Sequence, residues 1–469
     1  FMLHRSRVLI LERGRDTGES FRRWPREMRF ISPSFNQQGW TRSYDLNAVC
    51  VGTSPAYTLH SEHPTGEEYA AYLAAVAKIK KLNVRRNAEV LSLKKEKEKD
   101  LFHADVKNHK DQKEYTVSAR YVVWAVGEFQ YPKIGEKKEG EETKSPPPPY
   151  EEDIPPPPYK EDIPPPNQNT IVPSKEQGEE KKSNDKEDIP PPPKKQPPEE
   201  PHLPGSHLCL HNSQIASYAD LPTSKYISYL VIGGYESGID AAVHLARSGK
   251  KVTVLASAPT WSTKDVDPSV ELAPFTAARL REVTDPDFAG PVPQLMAPLR
   301  VLSVEKKDAG FAVTAEWEAS APPAPGQQRS LSRPVPTVPA GEEGDRIVLN
   351  SAHPPILCTG FAGGVRAGVA RSLFAYSDGG EGCLAGKPLL TKRDESTLVP
   401  NLFLAGPEVT HGKKSLCFVY KFRQRFGVVA EAICSGLGMD TKGAVRECRE
   451  KGMFMDNFDC CEDTCGDVC

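Results

Sequence analysis

The stretch from Tyr229 to Ala258, YLVIGGYESGIDAAVHLARSGKKVTVLASA, constrains this chain more than any other. An apolar run, Tyr229 to Ile232, breaks at Gly233 and Gly234. Ile239, Ala242, Val243 and Ala246 then recur at helical spacing. Gly249 punctuates that helix, and Lys251 to Leu255 reads as a second strand. Strand, glycine turn, helix and strand make a βαβ unit of the kind that binds a dinucleotide. Glycines let the backbone approach a pyrophosphate, and the helix N-terminus offers it unpaired N–H groups. The full fingerprint has glycines at its first, third and sixth positions. Here those positions hold Gly233, Tyr235 and Gly238, with Gly234 one place early. The second strand ends Leu255, Ala256, Ser257, without the acid that grips the ribose hydroxyls of NAD. That ending favours NADP.

A chain of 469 residues has room for two or three domains. Its 60 basic and 63 acidic residues leave no basic field for nucleic acid. No apolar run approaches the roughly 20 residues of a membrane span. Without a secretory leader, the 11 cysteines read as reduced thiols and the expected location is cytoplasmic. An organelle address stays open, because the N-terminus is expected to be truncated.

That expectation comes from Arg7 to Glu12 (RVLILE), which looks like the second strand of another βαβ unit. Glu12 is placed to hold an adenosine ribose, yet the strand and glycine turn belonging about 20 residues upstream are not there. The alternative for Glu12 is a solvated strand-end acid. Arg22 to Asn47 carries Trp24, Phe30, Phe35, Trp40 and Tyr44 without clean periodicity, and reads as loops over a cleft. Thr65 and Glu68 form a capping box before a helix to Lys80, with Tyr69, Tyr72, Leu73, Val76 and Ile79 on one face. Val84–Leu93 and Tyr115–Val126 read as strands joined by a charged stretch, and the second runs into Gly127.

From about residue 135 to 204 the chain is a Pro-rich, low-complexity insertion that cannot bury a core. Its PPPY units, Pro147–Tyr150 and Pro156–Tyr159, fit the motifs that WW-type domains bind, and a spacer expanded by repeat slippage is the favoured alternative. Downstream, Phe275–Glu282 suggests a helix and Val301–Lys306 with Gly310–Trp317 a hairpin. Residues 319–345 form a second flexible, Pro-rich loop. PILCTGF runs into Gly360, and NLFLAGPEVTHG is a strand leading to a loop and a helix.

This order of motifs resembles the two-dinucleotide-domain flavoproteins, the flavin-containing monooxygenase-like and thioredoxin-reductase-like enzymes. The resemblance rests on VLILERG (Val8–Gly14), WAVGEF (Trp124–Phe129), LCTGF (Leu357–Phe361) and LFLAGPE (Leu402–Glu408). It implies an α/β fold of two Rossmann-like domains, an FAD domain interrupted by an NADPH domain, with Pro-rich disordered insertions. The implied division is residues 1–134 for the first FAD part, lacking its N-terminal βα unit, and 135–204 for the insertion. Residues 205–355 form the NAD(P)H domain, 356–445 the closing FAD part and 446–469 a Cys-rich tail. Glu12, Arg13, Gly127, Gly360, Gly406 and Glu408 are implied FAD contacts. Gly233, Gly234, Ser237, Gly238 and Ser257 are implied NADPH contacts. Neither the monooxygenase Gly–His signature nor a CxxC pair in the NADPH domain is reproduced.

In such enzymes NADPH reduces the flavin, which reacts with oxygen or passes electrons to a disulfide or quinone. A monooxygenase-type reaction on a small molecule is the expectation. The rivals are a disulfide or metal-thiol reductase and a degenerate scaffold recruiting WW partners. His211 and His411 are candidate polar catalysts, weighed against ordinary loop histidines. In the tail DCCEDTCGDVC, Cys460 and Cys461 are candidates for a redox relay, against soft-metal binding or no role. No metal is assigned, and a homodimer is left open.

Overall fold

The computed structural model describes residues 7–35, 45–135, 202–223, 228–263, 271–319, 335–377, 386–412 and 414–458. The PPPY repeats, Cys460 and Cys461 lie outside them. No helix among the described residues is long and apolar enough to cross a membrane.

The first part begins with β1 (Ile10–Leu11), shorter than the apolar run that predicts it. Short helices α1 (Glu19–Arg22) and α2 (Pro55–Leu59) precede α3 (Gly66–Ile79). Thr65 caps α3 as its sequence predicts. Its Oγ1 accepts from the Glu68 N–H at 3.2 Å, and the Glu68 carboxylate accepts from the Thr65 N–H at 2.7 Å. Tyr69, Tyr72 and Val76 turn inward and pack with Phe30, Phe21 and Trp24. Trp24 and Phe30 are therefore core residues under α3, not a cleft lining, whereas Ile79 in the last turn is 60% exposed.

Beyond α3, Asn87 at φ 56° splits the expected strand into β2 (Val84–Arg85) and β3 (Ala88–Glu96). The charged stretch that follows is not a linker. It contains β4 (Leu101–Asn108), paired antiparallel with β3 and with β5 (Glu114–Ala119). Phe102 and Val106 share one face of β4 at the strand period and are buried there, while the other face carries the polar residues. A final short strand, β6 (Val122–Trp124), completes this part.

The central part holds β7 (Leu210–His211), β8 (Ser228–Ile232), α4 (Glu236–Arg247), β9 (Lys251–Leu255) and α5 (Pro274–Val283). After these come β10 (Gln294–Met296), β11 (Leu299–Lys307), β12 (Gly310–Trp317), β13 (Arg346–Ser351) and β14 (Ile356–Leu357). A five-stranded sheet runs β10-β9-β8-β14-β7 with every pairing parallel. Strand alternation gives it two apolar faces. Tyr229, Val231, Val252 and Val254 meet α4 and α5, while Leu230, Ile232 and Leu255 meet the antiparallel sheet β11-β12-β13. A parallel sheet covered on both sides is the stable form of such an arrangement.

The chain then returns through β15 (Ala375–Tyr376), β16 (Pro388–Leu389) and β17 (Leu402–Leu404) to helices α6 (Val419–Phe422), α7 (Phe426–Gly436) and α8 (Lys442–Glu450). Strand β17 pairs parallel with β6 across nearly 300 residues of sequence, and β1 pairs parallel with β2. The parts are tied together by Glu27, whose carboxylate accepts from the Ser217 hydroxyl and from the backbone N–H of Tyr218 and Ala219.

Replacing Thr65 by Ala should lower stability by about 1 kcal/mol in chemical denaturation, and Thr65→Ser should restore most of it.

Candidate functional site

The turn between β8 and α4 is built from glycines that packing requires before any ligand arrives. Gly233 has φ +109°, and a Cβ there would lie 2.5 Å from the Cys358 carbonyl oxygen. A Cβ on Gly234 would meet that of Ala256 at 2.3 Å, and one on Gly238 would lie 1.8 Å from the Gly233 carbonyl oxygen. Helix, β8 and the end of β14 therefore approach as closely as backbones can. Tyr235, standing where the middle glycine is absent, is 43% exposed and makes no side-chain cap on α4. The first-turn amides of α4 are thus left for an anion. The first-turn acid does not oppose one directly, because the Glu236 carboxylate turns onto α5, accepting from the Ala273 N–H and the Thr276 hydroxyl. Burial raises its pKa. Ser237 is half-buried in this turn, and Ser257 is exposed just beyond β9.

A second set of glycines behaves in the opposite way. Gly127, Gly360 and Gly406 have φ of 72°, 80° and 116°, and a Cβ on any of them would meet nothing within 4 Å. Each ends or follows a strand, and their loops are tied together. Lys133 N–H donates to the Gly360 carbonyl at 3.1 Å, Ala362 N–H to Tyr131 at 2.8 Å and Ala405 N–H to Trp124 at 3.0 Å. A Cβ on Gly364 would sit 2.0 Å from the Gly127 carbonyl oxygen. Three loops from sequence-distant strands are thereby joined into one rim of bare backbone that faces open space.

His211, 1% exposed, fastens this rim. Its Nε2–H donates to the Gly360 carbonyl at 3.0 Å and its Nδ1 accepts from the Ser213 N–H at 3.2 Å. Burial lowers its pKa, which favours this neutral tautomer with both nitrogens engaged. Glu408, 3% exposed, accepts from the N–H of Gly364 at 2.8 Å and of Val365 at 3.1 Å. Glu12 folds onto its own turn, its Oε1 accepting from the Gly14 N–H at 2.7 Å, and burial raises its pKa. Arg13 reaches Gln130 after β6 and lies 3.8 Å from Glu89. His411 sits apart in a closed charge knot. Its Nε2 is 2.6 Å from Asp394, a fully buried carboxylate that also takes two N–H groups of Arg425, at 2.9 and 2.8 Å.

Two further charged residues meet beside the Gly127 loop. Glu128 follows Gly127, and its carboxylate lies 3.8 Å from the Lys387 ammonium just before β16. Burial raises the Glu128 pKa while Lys387 opposes the shift. Burial likewise pushes the Cys209 thiol up to about 12 and raises those of Cys358, Cys434 and Cys448. None of these four is an activated thiolate.

A parallel sheet with a glycine-turn βαβ unit, inserted between two parts that pair through β6 and β17, is the architecture of a two-dinucleotide-domain oxidoreductase. The family model of the pyridine nucleotide-disulphide oxidoreductases matches residues 2–153 and 195–320, and the chain belongs to that family. Solved structures share its fold. Bacillithiol disulfide reductase from Staphylococcus aureus aligns at a TM-score of 0.52 and 16% identity, over 91% of this chain and 90% of that one. Ornithine hydroxylase from Pseudomonas aeruginosa aligns at 0.52 and 13%, over 92% of each chain. The FAD-bound cadaverine monooxygenase from Erwinia amylovora aligns at 0.53 and 11%, over 91% and 88%.

The two glycine sets should respond differently to alanine. Gly238→Ala forces backbone apart and should lower the melting temperature and abolish nucleotide binding together. Gly406→Ala meets open space and should carry only the strain of a positive φ, about 1–2 kcal/mol by denaturant titration.

Proposed function

We propose that this protein oxidises NADPH and passes the electrons through FAD to oxygen and a small-molecule substrate, as a monooxygenase-type enzyme. The observation that carries the reading is the pair of glycine sets, one at the start of α4 where no side chain caps the helix (Gly233–Gly238) and one on the linked loops of Gly127, Gly360 and Gly406. Both fit an anionic dinucleotide held by backbone. FAD, when bound, supplies the hydride acceptor and the electron outlet. The chain's own residues bind and orient. The α4 amides take the NADPH pyrophosphate, and Ser257 leaves space without negative charge for the ribose phosphate. His211 keeps Gly360 at the cleft rim. Cys209, Cys358, Cys434 and Cys448 hold their protons through burial and are poor partners for disulfide exchange.

One observation favours a disulfide or metal-thiol reductase as the second reading. Residues 453–458 are docked against the body, with Met455 N–H donating to Gln424 at 3.1 Å and the Lys414 ammonium to the Phe458 carbonyl at 2.6 Å. That docked segment leads directly to Cys460 and Cys461 in the sequence.

The full-length protein should show the two flavin absorption bands, and they should bleach when NADPH is added without air. Admitting oxygen should restore them, at the same rate in a Cys460→Ser/Cys461→Ser double variant. A colourless protein that takes up no added FAD rejects the reading, and loss of turnover in the double variant moves the assignment to the reductase. Ser257→Asp should raise the KM for NADPH about tenfold or more relative to NADH, because it places a carboxylate against the ribose phosphate.

A further inference from the structure

Helices α4 and α5 enclose a buried charge pair. Asp240 on α4 and Arg279 on α5 are both buried and form an ion pair between the helices. Arg279 Nη1 also lies 3.2 Å from His244 Nε2, and because a guanidinium only donates, that ring nitrogen is the acceptor. Asp240 Oδ2 and Arg279 Nε and Nη2 have no hydrogen-bond partner among the described residues.

Two routes lead from this pair to the first part of the chain. On one side the Arg279 guanidinium carbon stands 4.2 Å from the centre of the Phe275 ring. Phe275 stacks on His63, with ring centres 3.7 Å apart and planes 7° from parallel. His63 is held by the first part, since its Nδ1–H donates to the Phe30 carbonyl at 2.8 Å and its own carbonyl accepts from Arg29 at 2.9 Å. On the other side the His244 ring lies parallel to that of Tyr218, with centres 6.0 Å apart. The Tyr218 N–H donates to Glu27, again of the first part, at 3.1 Å. Asp240 itself stands two residues beyond Gly238. The ion pair thus sits between the glycine turn of α4 and two contacts with the first part.

We propose that Phe275, Arg279 and Asp240 form a positioning device that sets the orientation of α4 against the first part, with His63 as its outer contact. This rests on the reading that NADPH lies at α4 and FAD in the flanking parts. A buried pair left partly unsatisfied adds little stability, so its use lies in the geometry it fixes. Ring stacking and a cation over a ring are directional contacts, which set an angle as well as a distance. Electron passage between two bound nucleotides depends steeply on their placement, and a shift of about 1 Å costs on the order of 100-fold. His63 stands in the loop before α3, outside both glycine sets, and acts through orientation.

The test uses the full-length protein loaded with FAD. His63→Ala should leave the dissociation constant for NADPH within about twofold of wild type, yet slow anaerobic bleaching at saturating NADPH about tenfold or more. Phe275→Leu should do the same, and His63→Phe, which keeps a ring against Phe275, should recover most of the rate. A second readout needs no cofactor. In FAD-free protein, a double-mutant cycle of His63→Ala and Phe275→Leu should show a coupling of roughly three- to tenfold in the unfolding constant. Unchanged bleaching in His63→Ala, a loss of NADPH affinity that matches the loss of rate, or no coupling in the cycle overturns the proposal. Wild-type protein that takes up no FAD or is not bleached by NADPH rejects the oxidoreductase reading instead, and the cofactor-free cycle still decides whether His63 and Phe275 join the two parts.

Discussion

The carbonyl oxygen of Gly233 occupies the place where a side chain on residue 238 would begin. That contact lets α4 lie against the end of β8, and β8 in turn lets Cys358 close over the turn from β14. Five parallel strands, two helices and a covering antiparallel sheet are arranged around this approach. A methyl group in either glycine position requires backbone to move, and backbone in a covered parallel sheet has nowhere to go. At the start of α4, Tyr235 supplies no side-chain cap.

Glycine carries two different meanings in this chain. At positions 233, 234 and 238 the missing side chain is demanded by protein atoms, so these residues are needed whether or not a nucleotide is present. At 127, 360 and 406 the surrounding space is open and only the positive φ demands glycine. The loops that carry them are tied together by hydrogen bonds, which brings their open backbone to one place. Glu408 and His211 support that rim from behind, the first through the amides of Gly364 and Val365 and the second through the carbonyl of Gly360.

Much of the fold was legible locally. The βαβ unit, the capping box at Thr65 and Glu68, helix α5 and the β11–β12 hairpin each depend on residues within about 30 positions of one another. Strand β4 was not, because Lys and Glu on its solvent face and in its flanks hid the two core positions, Phe102 and Val106. The aromatics Trp24 and Phe30 read as a cleft lining until α3 was seen packed on them. Glu128 lies inside WAVGEF, yet nothing in the sequence paired it with Lys387, 259 residues away.

The sequence by itself determined that a glycine turn would join two parallel strands through a helix, that no acid would stand at the end of β9, and that LFLAGPE would end in a loop. Near-neighbour sterics and periodicity suffice for these. Tertiary structure alone decided which glycines face protein and which face open space, and that His211 has no free ring nitrogen. It also decided that His411 is bound to Asp394 and Arg425, and that Glu408 reaches two amides instead of solvent. Each of these depends on atoms brought together from distant parts of the chain, and burial then sets their charge.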